Sequence, residues 1–170
     1  MEETIQLRCD SILQLLVLEK DPDRKADLIT SFYSTSIDGF PLQLLVLSQK
    51  LLELSRKNND VFSESAALSA AGQGYRITGS YVKALELHRQ ALAVAEKSGN
   101  KILIGFALNQ MAHIYKDRLE NDKALALYYE ALRNFKQGGR EEVWYPSMNL
   151  GVVYYNMGKN DSALHYSYEA

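Results

Sequence analysis

The chain has 170 residues, with 19 Lys plus Arg against 21 Asp plus Glu and 46% hydrophobic residues. A net charge of −2 with both signs interspersed leaves no basic field for a phosphate backbone, which excludes nucleic acid as the expected partner; the apolar content excludes global disorder. The single cysteine, Cys9, can neither close an internal disulfide nor supply a thiolate cluster for zinc, and is expected as a small buried apolar residue.

Residues 2–19 predict an amphipathic helix. Its apolar run from Ile12 to Leu18 is interrupted by Gln14 and is too short to span a bilayer. Glu2 and Glu3 stand where a signal peptide carries basic residues, so the expectation is a cytoplasmic protein, or a periplasmic one if a leader has been removed. Asp21 is a good N-cap and Pro22 suits the first helical position, opening a helix within DPDRKADLITSFYSTS. LSQKLLELSRKNND (47–60) then aligns with LHRQALAVAEKSGN (87–100) at an offset of 40, placing Leu51-Leu52 over Ala91-Leu92. Residues 1–60 are thus expected to be a capping helix plus a degenerate helix pair.

From residue 61 the repetition strengthens. LSAAGQGYRITGSYVKALELHRQAL (68–92) lies over LNQMAHIYKDRLENDKALALYYEAL (108–132) at an offset of 40, matching Tyr75 with Tyr115 and Lys83-Ala84-Leu85 with Lys123-Ala124-Leu125. SMNLGVVYYNMGKNDSALHYSYEA (147–170) follows at an offset of 39 and supplies Gly151, Tyr154, Gly158, Ala163-Leu164 and Ala170. A fixed period of this length marks stacked supersecondary units. In the first copy, Leu68, Ala71, Gly72 and Tyr75 share one helical stripe, and Ala84, Leu85, His88, Ala91 and Leu92 share another, so each copy predicts two helices and the chain about nine. Gly72, Ala112 and Gly151, with Ala84, Ala124 and Ala163, stand where the paired helices approach closely. Gly79 and Gly158 fall between the helices, where a left-handed residue ends the first one. Copy two has Leu119 at that place, so its turn is expected either to use Asn121 for the unusual backbone angle or to differ in shape.

The same segment contains a near phosphate loop, Gly74-Tyr-Arg-Ile-Thr-Gly79-Ser80. Ser80 replaces the lysine such a loop needs, and the preceding FSESAALSA lacks the β-branched run of a buried strand. The glycines are read as helix-packing and turn residues.

A small residue, then Tyr, Gly, Ala and Ala at these spacings resembles the tetratricopeptide repeat (TPR), with a period stretched from the family's usual ~34 residues. Such extended repeats are similar to those of kinesin light chain and of bacterial signalling proteins. The resemblance covers Ser65 to Ala170 and implies an all-α, right-handed superhelical solenoid of antiparallel helix pairs, with three repeats at roughly 65–100, 105–139 and 144–170, the last truncated. It also implies a concave groove lined by the first helix of each repeat. Carried over position by position, the partner-binding residues are Gln73 and Arg76 in copy one; Phe106, Asn109, Gln110, His113 and Lys116 in copy two; and Tyr145, Asn149, Tyr155 and Asn156 in copy three. Amides at such places suit the donors and acceptors of a peptide backbone. The basic residues with which some TPR domains clamp a C-terminal carboxylate are missing, which leaves Arg76 and Lys116 to meet one acidic group.

His88, His113 and His165 lie in three different copies without ligand-like spacing, so no metal is expected and each is read as a satisfied surface or groove histidine. The acid pairs Glu2-Glu3 and Glu141-Glu142 point apart along a helix and make no acid/base dyad. No enzyme and no cofactor are expected. Tyr115, Tyr128 and Tyr154 occupy packing positions, whereas Tyr129, Tyr155 and Tyr168 are expected at the surface. The end at Ala170, inside a helix, reads as a fragment of a longer repeat protein. The function expected is a non-catalytic module that binds a peptide or helical segment of a partner protein. The alternatives are a sensory or regulatory domain of a bacterial signalling protein, such as a histidine kinase or transcriptional regulator, whose output part lies beyond residue 170, and a homo-oligomer formed through the aromatic C-terminal end.

Overall fold

A computed structural model describes residues 11, 12, 14–16, 18–21, 24, 25, 28, 41–139 and 144–168, with the backbone alone for Pro41, Gln43, Trp144 and Tyr145. Cys9, Pro22, the acid pairs at 2–3 and 141–142, Ala170 and much of the expected 2–19 helix lie outside the described residues. Those residues contain no strand. The bounded helices are α1 (Pro41–Lys57), α2 (Val61–Ile77), α3 (Tyr81–Ser98), α4 (Lys101–Asp117), α5 (Asn121–Gln137), α6 (Trp144–Asn156) and α7 (Asn160–Tyr168). None of them is long and apolar enough to cross a membrane. The chain forms two compact units, Met1–Val94 and Ala95–Ala170, divided within α3.

In the first unit, helical residues at 11, 12, 14–16, 18, 24, 25 and 28 precede α1, whose start at Pro41 lies one repeat of 40 residues before that of α3 at Tyr81. Asp21 acts as the expected cap, its Oδ1 accepting the Arg24 N–H at 3.0 Å. Leu16, Leu44, Leu47 and Leu51 are buried with Ala66, Ala67 and Ala70 of α2, and Ile12, Leu28 and Phe62 pack against them. The leucines supply the area, each worth about 1.5–3 kcal/mol when buried, and the alanines let α2 approach. Asp60 caps α2 by accepting from the Ser63 N–H and hydroxyl, and it also accepts from the Lys25 ammonium. Burial pushes its carboxyl up, but the bonds from Lys25 and Ser63 outweigh this and hold it below the usual carboxylate range. Residues 74–77 continue α2 and 78–80 are its turn, so the near phosphate loop has no strand before it.

In the second unit, Asn100 caps α4 through bonds from the Ile102 and Leu103 N–H groups. Two hairpins follow, α4–α5 and α6–α7. Ala112, Ala124, Tyr128, Leu150 and Val153 form one buried cluster, which seats α6 on the preceding hairpin.

The turns inside the hairpins share one geometry. The N–H of Ser80, Glu120 and Lys159 donates to the carbonyl of Tyr75, Tyr115 and Tyr154, respectively, the long bond of a Schellman cap. It requires a left-handed residue just before the donor, and Gly79, Leu119 and Gly158 take φ of +77°, +59° and +72°. Asn121 does not serve this role: it is already the first residue of α5. The constraint falls on the position before the donor, so the leucine is forced into the strained region. Its side chain is 73% exposed and buries little in return. Leu119→Gly is therefore expected to raise stability by about 1 kcal/mol, the ordinary cost of a left-handed non-glycine residue, measured by urea denaturation. The connections between repeats follow the same period, with Asn59, Gly99 and Gly139 left-handed.

Candidate interaction surface

Each repeat sets a small residue of its first helix against a side chain of its second at one register position. In the first unit, a Cβ on Gly72 would lie 2.5 Å from His88 Cε1 and under 3 Å from both ring nitrogens. His88 is not a surface or groove histidine, as the sequence reading has it. It is wholly buried, and neither nitrogen has a hydrogen-bond partner among the described residues. Burial, assisted by the Arg76 guanidinium, pulls its pKa down to about 3. The signal was present in the sequence, because His88 falls in register with Tyr128 of the second repeat. Tyr128 is also wholly buried, but its longer side chain reaches His113 Nδ1 at 3.2 Å. Gln73 stands at the register place of His113 in the first repeat, and its Oε1 instead accepts from Arg76 Nε at 2.9 Å.

The first helices carry the residues that the resemblance assigns to partner binding, at unequal depths. Gln73, Asn109, Gln110, His113 and Asn149 are buried; Arg76, Phe106 and Lys116 are half-buried; Tyr155 and Asn156 are exposed. The side chain of Tyr145 lies outside the described residues. Asn109 is wholly closed off, yet both polar atoms of its amide are without a hydrogen-bond partner among the described residues, as is Gln110 Oε1. Phe106 meets Phe135 of α5 edge-on, with ring centroids 5.0 Å apart. Asp117, at the end of the same helix, is exposed, as is Ile77 at the corresponding place in the first unit.

The tyrosines also depart in part from expectation. Tyr155 and Tyr168 are exposed, but Tyr129 is half-buried and its hydroxyl lies 2.8 Å from the hydroxyls of both Tyr154 and Tyr166. These three residues tie α5, α6 and α7 together at one point. Burial and the two neighbouring phenols push the Tyr129 hydroxyl well above its ordinary range. Local spacing does not reveal it, because its members are 25 and 37 residues apart.

No curated protein matches the sequence. The family model described as tetratricopeptide repeat matches residues 63–137. Among solved structures, BtubC (BKLC) from P. vanneervenii is similar with a TM-score of 0.69 at 21% identity, over 98% of this chain and 69% of that one. The STAND signal-transduction ATPase with a tetratricopeptide repeat sensor from Pyrococcus horikoshii gives 0.65 at 20%, over 98% of this chain and 29% of that one. RapI in its apo form gives 0.63 at 16%, over 86% and 42%. At these identities the likeness concerns the fold alone. Residues 63–137 are therefore tetratricopeptide repeats, set in an all-α helical-repeat fold.

Proposed function

We propose that the chain is a non-catalytic protein-interaction module that holds a peptide or helical segment of a partner against the inner face of its first helices, in the concave groove that repeats of this family imply. Support comes from the polarity of that face. An apolar layer would pack more favourably than buried Asn109 and Gln110, whose polar atoms cost about 1–3 kcal/mol each when left unpaired. Packing alone gives no reason for them. In the second unit the surface above this layer offers Phe106, Lys116, Asp117 and Asn156, which suit a segment with an apolar side chain and an acidic group near Lys116. A second reading, the repeat sensor of a larger signalling protein, draws support from the likeness to the STAND sensor, and the reading frame past residue 170 decides it.

The test is a selection of peptides from a random display library against the 170-residue chain, followed by affinity measurements on variants. Lys116→Glu and Asp117→Lys are expected to weaken the selected peptides at least about tenfold, or 1.4 kcal/mol, whereas Glu130→Ala and Arg133→Ala on α5 leave them unchanged. Unaltered affinity in well-folded Lys116→Glu and Asp117→Lys variants contradicts the assignment.

A further inference from the structure

The three hairpin turns are built alike, so each is an internal control for the others. All three close with the same long bond and a left-handed residue before its donor, and two of them place glycine there. The second places Leu119. Among the described residues, Leu119 is the only one other than glycine and asparagine with a positive φ, and a leucine at +59° carries a steric cost that Gly79 and Gly158 avoid. Burial does not offset that cost, since the side chain is 73% exposed. Backbone and solvent thus both disfavour leucine, and the neighbouring copies show which residue folding alone favours. Strain kept without a structural return points to contact with something outside the fold.

The surroundings of Leu119 are held and electrically balanced. Arg118 Nε lies 2.8 Å from Glu120 Oε1, and Lys123 Nζ lies 2.6 Å from Glu120 Oε2 and 5.3 Å from the centre of the Tyr115 ring. Arg118 and Lys123 offset Glu120 and Asp122, so the turn carries no net charge. Such exposed ion pairs add little stability, but they brace the backbone on both sides of the leucine, and a side chain presented in this way has less freedom to lose when it is covered. An apolar tip inside a rim of self-paired charges offers an acidic or a basic surface no net attraction. Its complement is another apolar side chain, as at the dry centre of an interface with a polar rim.

Leu119 also adjoins the surface assigned to the partner segment. Its N–H donates to the carbonyl of Lys116 at 3.0 Å, and exposed Asp117 lies two residues before it. We propose that Leu119 is the apolar anchor of the second repeat: the segment held along α4 passes over the turn and packs an apolar side chain of its own on Leu119. This rests on the groove reading and adds to it a requirement on the ligand. The apolar residue stands about two positions from the acidic group that meets Lys116, because two extended residues span about one helical turn.

The probes are the display-selected peptides, each of known sequence. Leu119→Gly is expected to move two quantities in opposite directions, raising the urea midpoint of the chain while lowering peptide affinity at least about tenfold. Loss of fold cannot produce that pair of results. Leu119→Asn retains a residue type that tolerates the left-handed angle but removes the apolar group, and it is expected to weaken binding as much. Leu119→Met is expected to hold affinity within about threefold. Peptides that Lys116→Glu weakens and that both Leu119→Gly and Leu119→Asn leave unchanged overturn the anchor while the groove reading stands. Equal losses in Leu119→Met and Leu119→Asn overturn it as well, since the contact is then not apolar. Peptides weakened by the Leu119 variants alone overturn the groove reading, and with it the path from α4 over the turn; peptides indifferent to every variant overturn both.

Discussion

Between pH 6.5 and pH 4 the folded chain is expected to lose about 3 kcal/mol of stability through His88 alone. The imidazole is buried against Gly72 with no hydrogen-bond partner among the described residues, and its pKa is held down to about 3. In the unfolded chain it titrates near the ordinary value of about 6.5. Below that pH the unfolded state takes up a proton that the folded state refuses, and each further pH unit costs about 1.4 kcal/mol until the folded pKa is reached. The contribution is therefore fully present above pH 6.5 and is lost as pH falls toward 3. Asp60 also loses its stabilising charge in acid, its carboxyl being held below the usual carboxylate range by Lys25 and Ser63, so the informative quantity is the difference between the wild type and His88→Phe. Urea denaturation at pH 7, 5.5 and 4 should show a steep decline in the wild type and a decline about 3 kcal/mol smaller in the variant. Equal declines in the two proteins contradict the buried, unpartnered state of His88.

The second large effect comes from the other side of the same contact. Gly72→Ala places a methyl group 2.5–2.8 Å from three atoms of a ring that has no exposed surface into which to swing. Overpacking of this kind costs about 1–3 kcal/mol, partly offset by the better helix propensity of alanine, which is worth about 1 kcal/mol. A net loss of about 1 kcal/mol is expected. The collision disappears when the ring does, so in a His88→Ala background the same substitution should become neutral or stabilising, leaving a coupling energy of about 2 kcal/mol in the double-mutant cycle. Additive effects in the cycle would mean that the two residues do not touch.

These two residues also show how far the sequence carried. The register of 40 and 39 residues predicted the hairpins, the close-approach positions Gly72, Ala112 and Gly151, and the turn residues Gly79 and Gly158, because all of them follow from local geometry repeated along one chain. Leu119 escaped the reading. Leucine carries no sign of a left-handed conformation, and the cap that imposes it, from Glu120 to Tyr115, is visible only by analogy with the neighbouring repeats. His88 was legible in principle from its alignment with Tyr128, yet a polar residue type pointed to the surface. The resemblance assigned the partner-binding residues to the first helices of the repeats, but it gave nothing of their depth. Whether Asn109 is open or closed depends on what packs above it, and no spacing within α4 encodes that. The phenol node of Tyr129, Tyr154 and Tyr166 was hidden for the same reason.

The central claim is that the first helices of these repeats hold a partner segment while the second helices are scaffold. Hydrogen–deuterium exchange of the 170-residue chain, with and without a display-selected peptide, tests it most directly. The account predicts added protection along α4 and at the C-terminal end of α6, with α5 and α7 unchanged; protection confined to α5 and α7, with α4 and α6 exchanging as in the free chain, would contradict it.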